Sequence, residues 1–288
     1  MSAKNKARIQ MLLAATVFGT IPLFVRNLPL TSGEIALYRA VIAVLLIGGC
    51  LLISRQRIPF VQIKKELPLL LLSGVAIGFN WILLFQAYKF TTVSVATLSY
   101  YFAPIIVTVV CPILFREKLS FRQILCFAMS TVGVILIVAA GESGGAENHL
   151  VGICLGLGAA VLYAGVVLTN KFIRNVSGIQ RTFFQFFAAV VVLIPYVACT
   201  DGFHLERLAA DGWIYLLILG IVHTGLTYFL YFTSLKELPG QEAAVLSYID
   251  PVVAIIVSVV ILGEGITTVQ ILGGAMVLGF ALWNECAG

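Results

Sequence analysis

Charge is what this sequence has least of. Asp, Glu, Lys and Arg make up 11% of its 288 residues, against 60% hydrophobic, and the mean hydropathy is +1.05. A soluble domain of this length has no interior large enough for so much apolar surface, which leaves a polytopic membrane protein. The net charge is +5, but Lys and Arg fall between apolar runs and form no continuous stripe. A nucleic-acid partner is therefore not expected. Catalytic signatures are missing too: there is no HExxH, no Walker loop and no GxSxG. His149, His204 and His223 have no metal-ligand spacing, so neither metal nor cofactor is expected. Cys50, Cys111, Cys126, Cys154, Cys199 and Cys286 contain no CxxC and lie in apolar segments, where lone cysteines are expected as small buried hydrophobes.

What is present is a series of long apolar runs. A helix crosses the hydrocarbon with ~20 apolar residues, and ten stretches meet that measure: 8–26, 33–54, 67–88, 93–115, 120–140, 150–170, 182–200, 212–235, 241–262 and 267–285. Lys4, Lys6 and Arg8 precede the first run as they would in a signal peptide. No convincing small-residue cleavage site follows, and Gly19, Pro22 and Arg26 come directly after, so a retained first span is expected. The most hydrophilic stretch, Glu142 to His149, falls at the midpoint of the chain.

One constellation occurs twice. Lys89, Tyr101, Pro104, Glu117 and Gln123 are each followed 147 residues later by the same residue type: Lys236, Tyr248, Pro251, Glu264 and Gln270. The expected organisation is two copies of one unit, residues 1–141 and 150–288, joined by a linker at 142–149. Five spans per copy is an odd number, so the second copy enters the membrane from the opposite side. The fold class is then an all-α polytopic membrane protein, ten transmembrane helices arranged as two inverted five-helix repeats. Placing both termini in the cytoplasm puts fourteen Lys and Arg on that side. Only Arg26, Arg39, Lys89 and Arg207 remain on the other, a positive-inside bias that suits a plasma (inner) membrane protein. Inverted repeats are the architecture of secondary transporters, with the site between the repeats near the midplane.

Ten spans in two halves, with Pro in the fourth and ninth and Phe115-Arg-Glu117-Lys-Leu119 or Leu262-Gly-Glu264-Gly-Ile266 closing them, resemble the EamA family of the drug/metabolite transporter superfamily. The resemblance covers nearly the whole chain. It implies export of amino acids, other metabolites or drugs, and says little about which.

Several residues are candidates for the mechanism. Pro104 and Pro251 each remove a helix hydrogen bond inside an apolar run and suit a pair of hinges. Glu117 and Glu264 come 13 residues later, ~20 Å along a helix. That is a membrane edge, where they serve a gate or a tight turn; Ser120 to Gln123 and Thr267 to Gln270 read as capping boxes just beyond. Asp250 sits about nine residues into its span, ~14 Å deep. A carboxylate there must be neutralised or paired, and is a functional candidate by default. His223 reaches a similar depth and with Asp250 suggests a proton relay; alternatively Asp250 binds a substrate ammonium. Ala103 and Ala76 stand at the matching places of the first copy, so the site is asymmetric. Asn80 and Trp81 match Thr227 and Tyr228, and Tyr101 matches Tyr248; with Tyr163 these supply a pocket for a small organic ligand. Arg39, six residues into the second span, is expected to snorkel outward; the alternative is that it holds an anionic group or Asp250. Gly152, Gly156, Ala160 and Ala164, like Gly74 and Gly78, give small faces for close helix packing.

The reading is a secondary transporter, an exporter of a small organic metabolite such as an amino acid by alternating access, with proton coupling motivated by Asp250 and His223. The alternatives are a uniporter or drug-cation exporter of the same fold and, more remotely, an integral-membrane enzyme. Its partners are a small-molecule substrate, the bilayer and protons, in a monomer or a homodimer.

Overall fold

The computed structural model describes residues 3–54, 60–115, 120–140, 148–173, 176, 178–200, 202–235, 237–238 and 240–286. The regular structure among these residues is all helical, with no strand. Eight helical stretches are long and apolar enough to cross a membrane, and two shorter apolar ones follow at Val245–Ile261 and Thr268–Asn284. Outward-facing side chains are apolar: Leu52, Leu72 and Val260 are 78%, 61% and 74% exposed, as befits a surface solvated by lipid. The glutamate Glu117 and most of the 142–149 linker lie outside the described residues.

In chain order the helices are α1 (Ala3–Gly19), α2 (Ile21–Arg26), α3 (Ser32–Ile53), α4 (Phe60–Phe90), α5 (Val93–Tyr100), α6 (Ala103–Phe115), α7 (Phe121–Ala139), α8 (His149–Phe172), α9 (Gly178–Cys199), α10 (Ala210–Leu217), α11 (Thr227–Leu235), α12 (Gly240–Ser247), α13 (Ile249–Ile256) and α14 (Thr268–Cys286). Their starts are written in the sequence. Thr31 and Glu34 form a capping box at α3, and Ser120 and Gln123 form one at α7. At α14, Thr267 N–H donates to Gln270 Oε1 at 2.9 Å and Gln270 N–H to Thr267 Oγ1 at 3.2 Å. Each box satisfies two amides that helix geometry leaves orphaned.

The fourth and ninth apolar runs are broken rather than continuous. α5 ends at Tyr100 and α6 begins at Ala103; α12 ends at Ser247 and α13 begins at Ile249. Tyr101 and Tyr248 stand at the breaks, three residues before Pro104 and Pro251. A proline frees the carbonyl four residues back and crowds the preceding turn, so matched prolines give matched breaks.

A second irregularity was not expected. Between α10 and α11 the helix widens to a π-helical register over Ile218–Leu226. Thr224 Oγ1 donates to Leu219 O at 2.8 Å and Thr227 Oγ1 to Val222 O at 2.7 Å, each five residues back. In an ordinary helix Thr bonds four back, as Thr233 does to Phe229 O at 2.8 Å.

Small residues set the packing. Gly152, Gly156, Ala160 and Ala164 are all buried on α8, with Gly152 against Thr91 and Gly156 against Ala96 and Ser99. α8 thus packs against α4 and α5–α6, and α1 packs likewise against α11 and α12–α13. α3 pairs with α9, α5 with α13, and α7 with α14. Four of the five described cysteines, Cys50, Cys154, Cys199 and Cys286, are exposed and only Cys126 is buried. This corrects the expectation of buried thiols: on a lipid-facing surface an apolar thiol has no reason to hide.

The bundle has two distinguishable ends. At one, Arg26 pairs with Glu264, Lys89 Nζ donates to Leu30 O at 2.7 Å and Glu34 Oε1 accepts from the His204 backbone N–H at 2.6 Å. At the other, Lys4 and Arg8 pair with Glu242. α5 starts at the Glu264 end, where Val93 N–H donates to Glu264 Oε2 at 2.7 Å, whereas α12 starts at the Glu242 end.

Candidate functional site

The breaks at Tyr101 and Tyr248 open onto the middle of the bundle. Asp250 follows its break in the first turn of α13, where amide dipoles favour a carboxylate. Tyr101 Oη donates to Asp250 Oδ2 at 2.6 Å, so the two broken spans meet there. α1 closes on the same point: a Cβ on Gly19 would come 2.6 Å from the Asp250 carbonyl oxygen, an approach that only glycine permits.

Around Asp250 lie connected compartments. One of about 160 Å³ reaches from Asp250 past Tyr88, Tyr100 and Tyr228 to Trp81 and Arg39. Another of about 220 Å³ runs from Asp250 past Tyr231, Ser247 and Tyr248 to Pro104. Tyr101, Tyr163 and Asp250 belong to both, and Tyr163 is 39% exposed because it fronts this space. The walls are aromatic rings braced on one another: Trp81 on Phe186 at 5.1 Å, Phe186 on Tyr228 at 5.3 Å, Phe18 on Tyr228 at 5.2 Å and Tyr100 on Tyr163 at 5.5 Å between centroids.

Of the residues singled out from sequence, Asn80, Trp81, Tyr101, Tyr163, Tyr228, Tyr248 and Asp250 all line this space. Asn80 has a second task, since its Nδ2 donates to Ala159 O at 2.7 Å and ties α4 to α8. His223 is elsewhere. Its Nε2 lies 2.9 Å from Thr20 Oγ1 and its Nδ1 3.2 Å from Ile218 O, while Phe24 packs edge-on at 4.8 Å. Both ring nitrogens are occupied away from Asp250, which corrects the expected His223–Asp250 relay: the π-helical register turns the imidazole toward α1 and α2. Pro104 lines the second compartment. Glu264 sits after a left-handed Gly263 (φ 67°) and binds Arg26, Ser258 Oγ at 2.5 Å and Val93 N–H at 2.7 Å. It therefore joins α2, α5 and the end of the α13 run.

The residue that sequence reasoning misplaced is Arg39. It does not snorkel; it is 3% exposed and lines the cavity. Nε donates to Thr224 Oγ1 at 2.7 Å, and the guanidinium lies 4.6 Å from the Trp81 ring centroid and 5.8 Å from that of Phe85. Gly220 and Gly225 explain how it gets there: α3 rests on them through Ile42 and Leu46, which brings Thr224 of the widened segment against Arg39. A signal was available, because Ile35, Arg39, Ala43 and Ile47 repeat every four residues along one buried face of α3.

Comparison with known proteins bears on the family and the fold. The chain matches the EamA-like transporter family over residues 5–139 and again over residues 150–284. It is 32% identical over 284 residues to the uncharacterized transporter YxxF of Bacillus subtilis, covering 97% of this chain and 89% of that one. An uncharacterized transporter of Archaeoglobus fulgidus is 26% identical over 281 residues, with coverage of 96% and 95%. Protein PecM of Dickeya dadantii is 25% identical over 232 residues, with coverage of 78% and 75%. A solved crystal structure, 16% identical, superposes with a TM-score of 0.65 over 96% of this chain and 95% of its own, a likeness of fold.

Proposed function

Because the chain belongs to the EamA-like transporter family and is a multi-pass membrane transporter, we propose that it exports a small organic metabolite by alternating access, with Asp250 as the proton-coupling group. The reading takes the molecule as ten spans in two inverted five-helix repeats, with both termini in the cytoplasm of a cell whose inner membrane it occupies. Two features support the inversion. α8 and α1 are clasped by equivalent helices, as are α4 and α11, and the equivalent helices α5 and α12 start at opposite ends of the bundle. The boundary between repeats is placed at 142–149.

The observation that carries the reading is the Tyr101–Asp250 hydrogen bond, made between the two broken spans inside a membrane-embedded cavity. An ionised carboxylate at that depth favours a proton, a cation or a charge-assisted donor. Exchange between proton and cargo at Asp250 changes the bond to Tyr101 and with it the contact between halves. Pro104 and Pro251 act as hinges beside that bond. The Arg26–Glu264 clasp closes one end, and in this topology that end is extracellular.

Purified protein in liposomes loaded with labelled amino acids tests the proposal. Efflux is expected to rise severalfold when the outer medium is made acidic, and Asp250→Asn is expected to lose that response while still exchanging label. Efflux indifferent to the gradient leaves facilitated diffusion; absence of any flux removes the reading.

A further inference from the structure

Tyr101 is the last of a row. Ser94, Thr97 and Tyr101 follow one another at three and four residues along α5 and its C-cap, a spacing that puts them on one helix face. That face runs from the Glu264 end of the bundle to the cavity, and we propose that its hydroxyl groups form a proton path from Glu264 to Asp250. The inference rests on the proton-coupling reading and says how the proton arrives. Glu264 supplies the entrance, keeping 12% of its side chain exposed beside Arg26. Ser258 Oγ donates to Glu264 Oε2 at 2.5 Å and accepts from the Ser94 backbone N–H at 3.2 Å. Ser94, Thr97 and Ser258 are all buried. A helical hydroxyl ordinarily donates to the carbonyl four residues back, as Ser99 does to Val95 O and Thr108 to Pro104 O, both at 2.9 Å. Ser94 Oγ and Thr97 Oγ1 make no well-formed hydrogen bond among the described residues, although Tyr88 approaches Thr97.

A buried hydroxyl without a partner is costly, so two on one face call for an explanation. Neighbouring positions on a helix face lie ~5–6 Å apart, the span of two hydrogen bonds through one water. Water held between Ser94 and Thr97 satisfies both and continues the row. Thr97, Tyr101 and Asp250 border one compartment, where the row ends. Each hydroxyl donates and accepts, so each takes up one proton as it releases another. The proton that Glu264 gains from outside is thereby matched by one that forms an O–H bond on Asp250, and no hydroxyl changes its charge. Of the groups facing Asp250, Arg39, Tyr88, Tyr100, Tyr101, Tyr163 and Tyr228 are of types that keep their protons at neutral pH; the carboxylate is the acceptor. The row is not duplicated. At the offset of 147 residues, Ser94, Thr97 and Ser258 correspond to Gln241, Ala244 and Cys111, so the path, like Asp250, belongs to one end only. Protons can then reach Asp250 while the Arg26–Glu264 clasp stays shut to cargo.

Infrared spectroscopy of the purified full-length protein after a drop in pH reads the proton on Asp250 directly, as a carboxylic-acid band that Asp250→Asn lacks. The rate at which the band grows is expected to fall about tenfold or more in Thr97→Val and in Ser94→Ala, with the midpoint of its titration unchanged. Thr97→Ser keeps the hydroxyl, and Ser99→Ala removes one committed to Val95 O; both are expected to match wild type. Equal rates in all these proteins, or a midpoint that moves while the rate does not, overturn the path and leave the coupling reading standing. If no such band appears at any pH, both fall. Deuterium oxide is expected to slow the wild-type step. A rate identical in the two solvents overturns the path even if a variant fails to fold.

Discussion

Arg39 shows how far a single side chain can escape a reading based on depth. Six residues from a helix start, its stem can reach either the interface or the core, and only the four-residue repeat of Ile35, Ala43 and Ile47 points inward. Asp250 drew notice because an acidic residue deep in an apolar run must be neutralised or paired, and it lines the cavity. His223 was misread because its direction depends on a π-helical turn that no local pattern announces. Two predictions belong at this scale. Gly19→Val places a branched side chain against the Asp250 carbonyl oxygen and Val253; it is expected to cost about 1–3 kcal/mol, seen as a lower unfolding temperature in detergent. Glu242 is partly exposed and paired with Arg8 and Lys4, whose donated hydrogen bonds hold its carboxyl below the ordinary value of 4.5. A group whose ionised form is favoured on folding contributes above that ordinary value and stops contributing as pH falls through the lowered one. Melting curves of wild type and Glu242→Gln should therefore differ slightly at neutral pH, less at high salt, and converge as pH falls through the lowered value.

Helices were legible wherever caps and apolar runs coincide. The two capping boxes at Ser120 and Thr267 lie where the spacing predicts them, because such a box is a local device with no need of the rest of the chain. Breaks are less local: prolines at 104 and 251 announce them, but the helices stop at Tyr101 and Tyr248, where the chain also has to face the cavity. Glu264 combines both kinds of information. Its turn was expected from its place just before the Thr267 to Gln270 capping box, while two of its three partners, Arg26 and Val93, come from distant elements. Glu264→Gln keeps the shape and removes the charge from the clasp; a loss of about 2 kcal/mol is expected. If the clasp is a gate, the same variant makes thiols introduced near Val93 react faster with membrane-impermeant reagents. Equal reactivity in both proteins would leave Glu264 as a turn residue only.

At the scale of the whole molecule, the duplication was the most informative feature of the sequence, since residue identities 147 positions apart survive any uncertainty about helix ends. The asymmetry was legible too, with Ala103 opposite Asp250 and Ala76 opposite His223. What the sequence did not reveal is how Arg39 and Asp250 come to border one cavity, because that depends on α3, α13 and the widened segment meeting in space. Single cysteines placed after Ser120 and after Thr267 in a cysteine-free background test the topology by labelling in intact cells. Opposite accessibility is expected, and the same accessibility removes the inversion.

The broken spans have a mechanical corollary. α5, α6 and α12 are rods of 8, 13 and 8 residues and α13 runs on in π-helical register to Ile261; they are jointed beside the cavity, whereas α7 and α14 are unbroken 19-residue columns packed on each other. Short pieces swing with little displacement at the lipid boundary, so the column pair can serve as a fixed pillar while the jointed pieces move. Spin labels across α7 and α14 are expected to keep one separation throughout the cycle, and labels across Tyr101 or Tyr248 two.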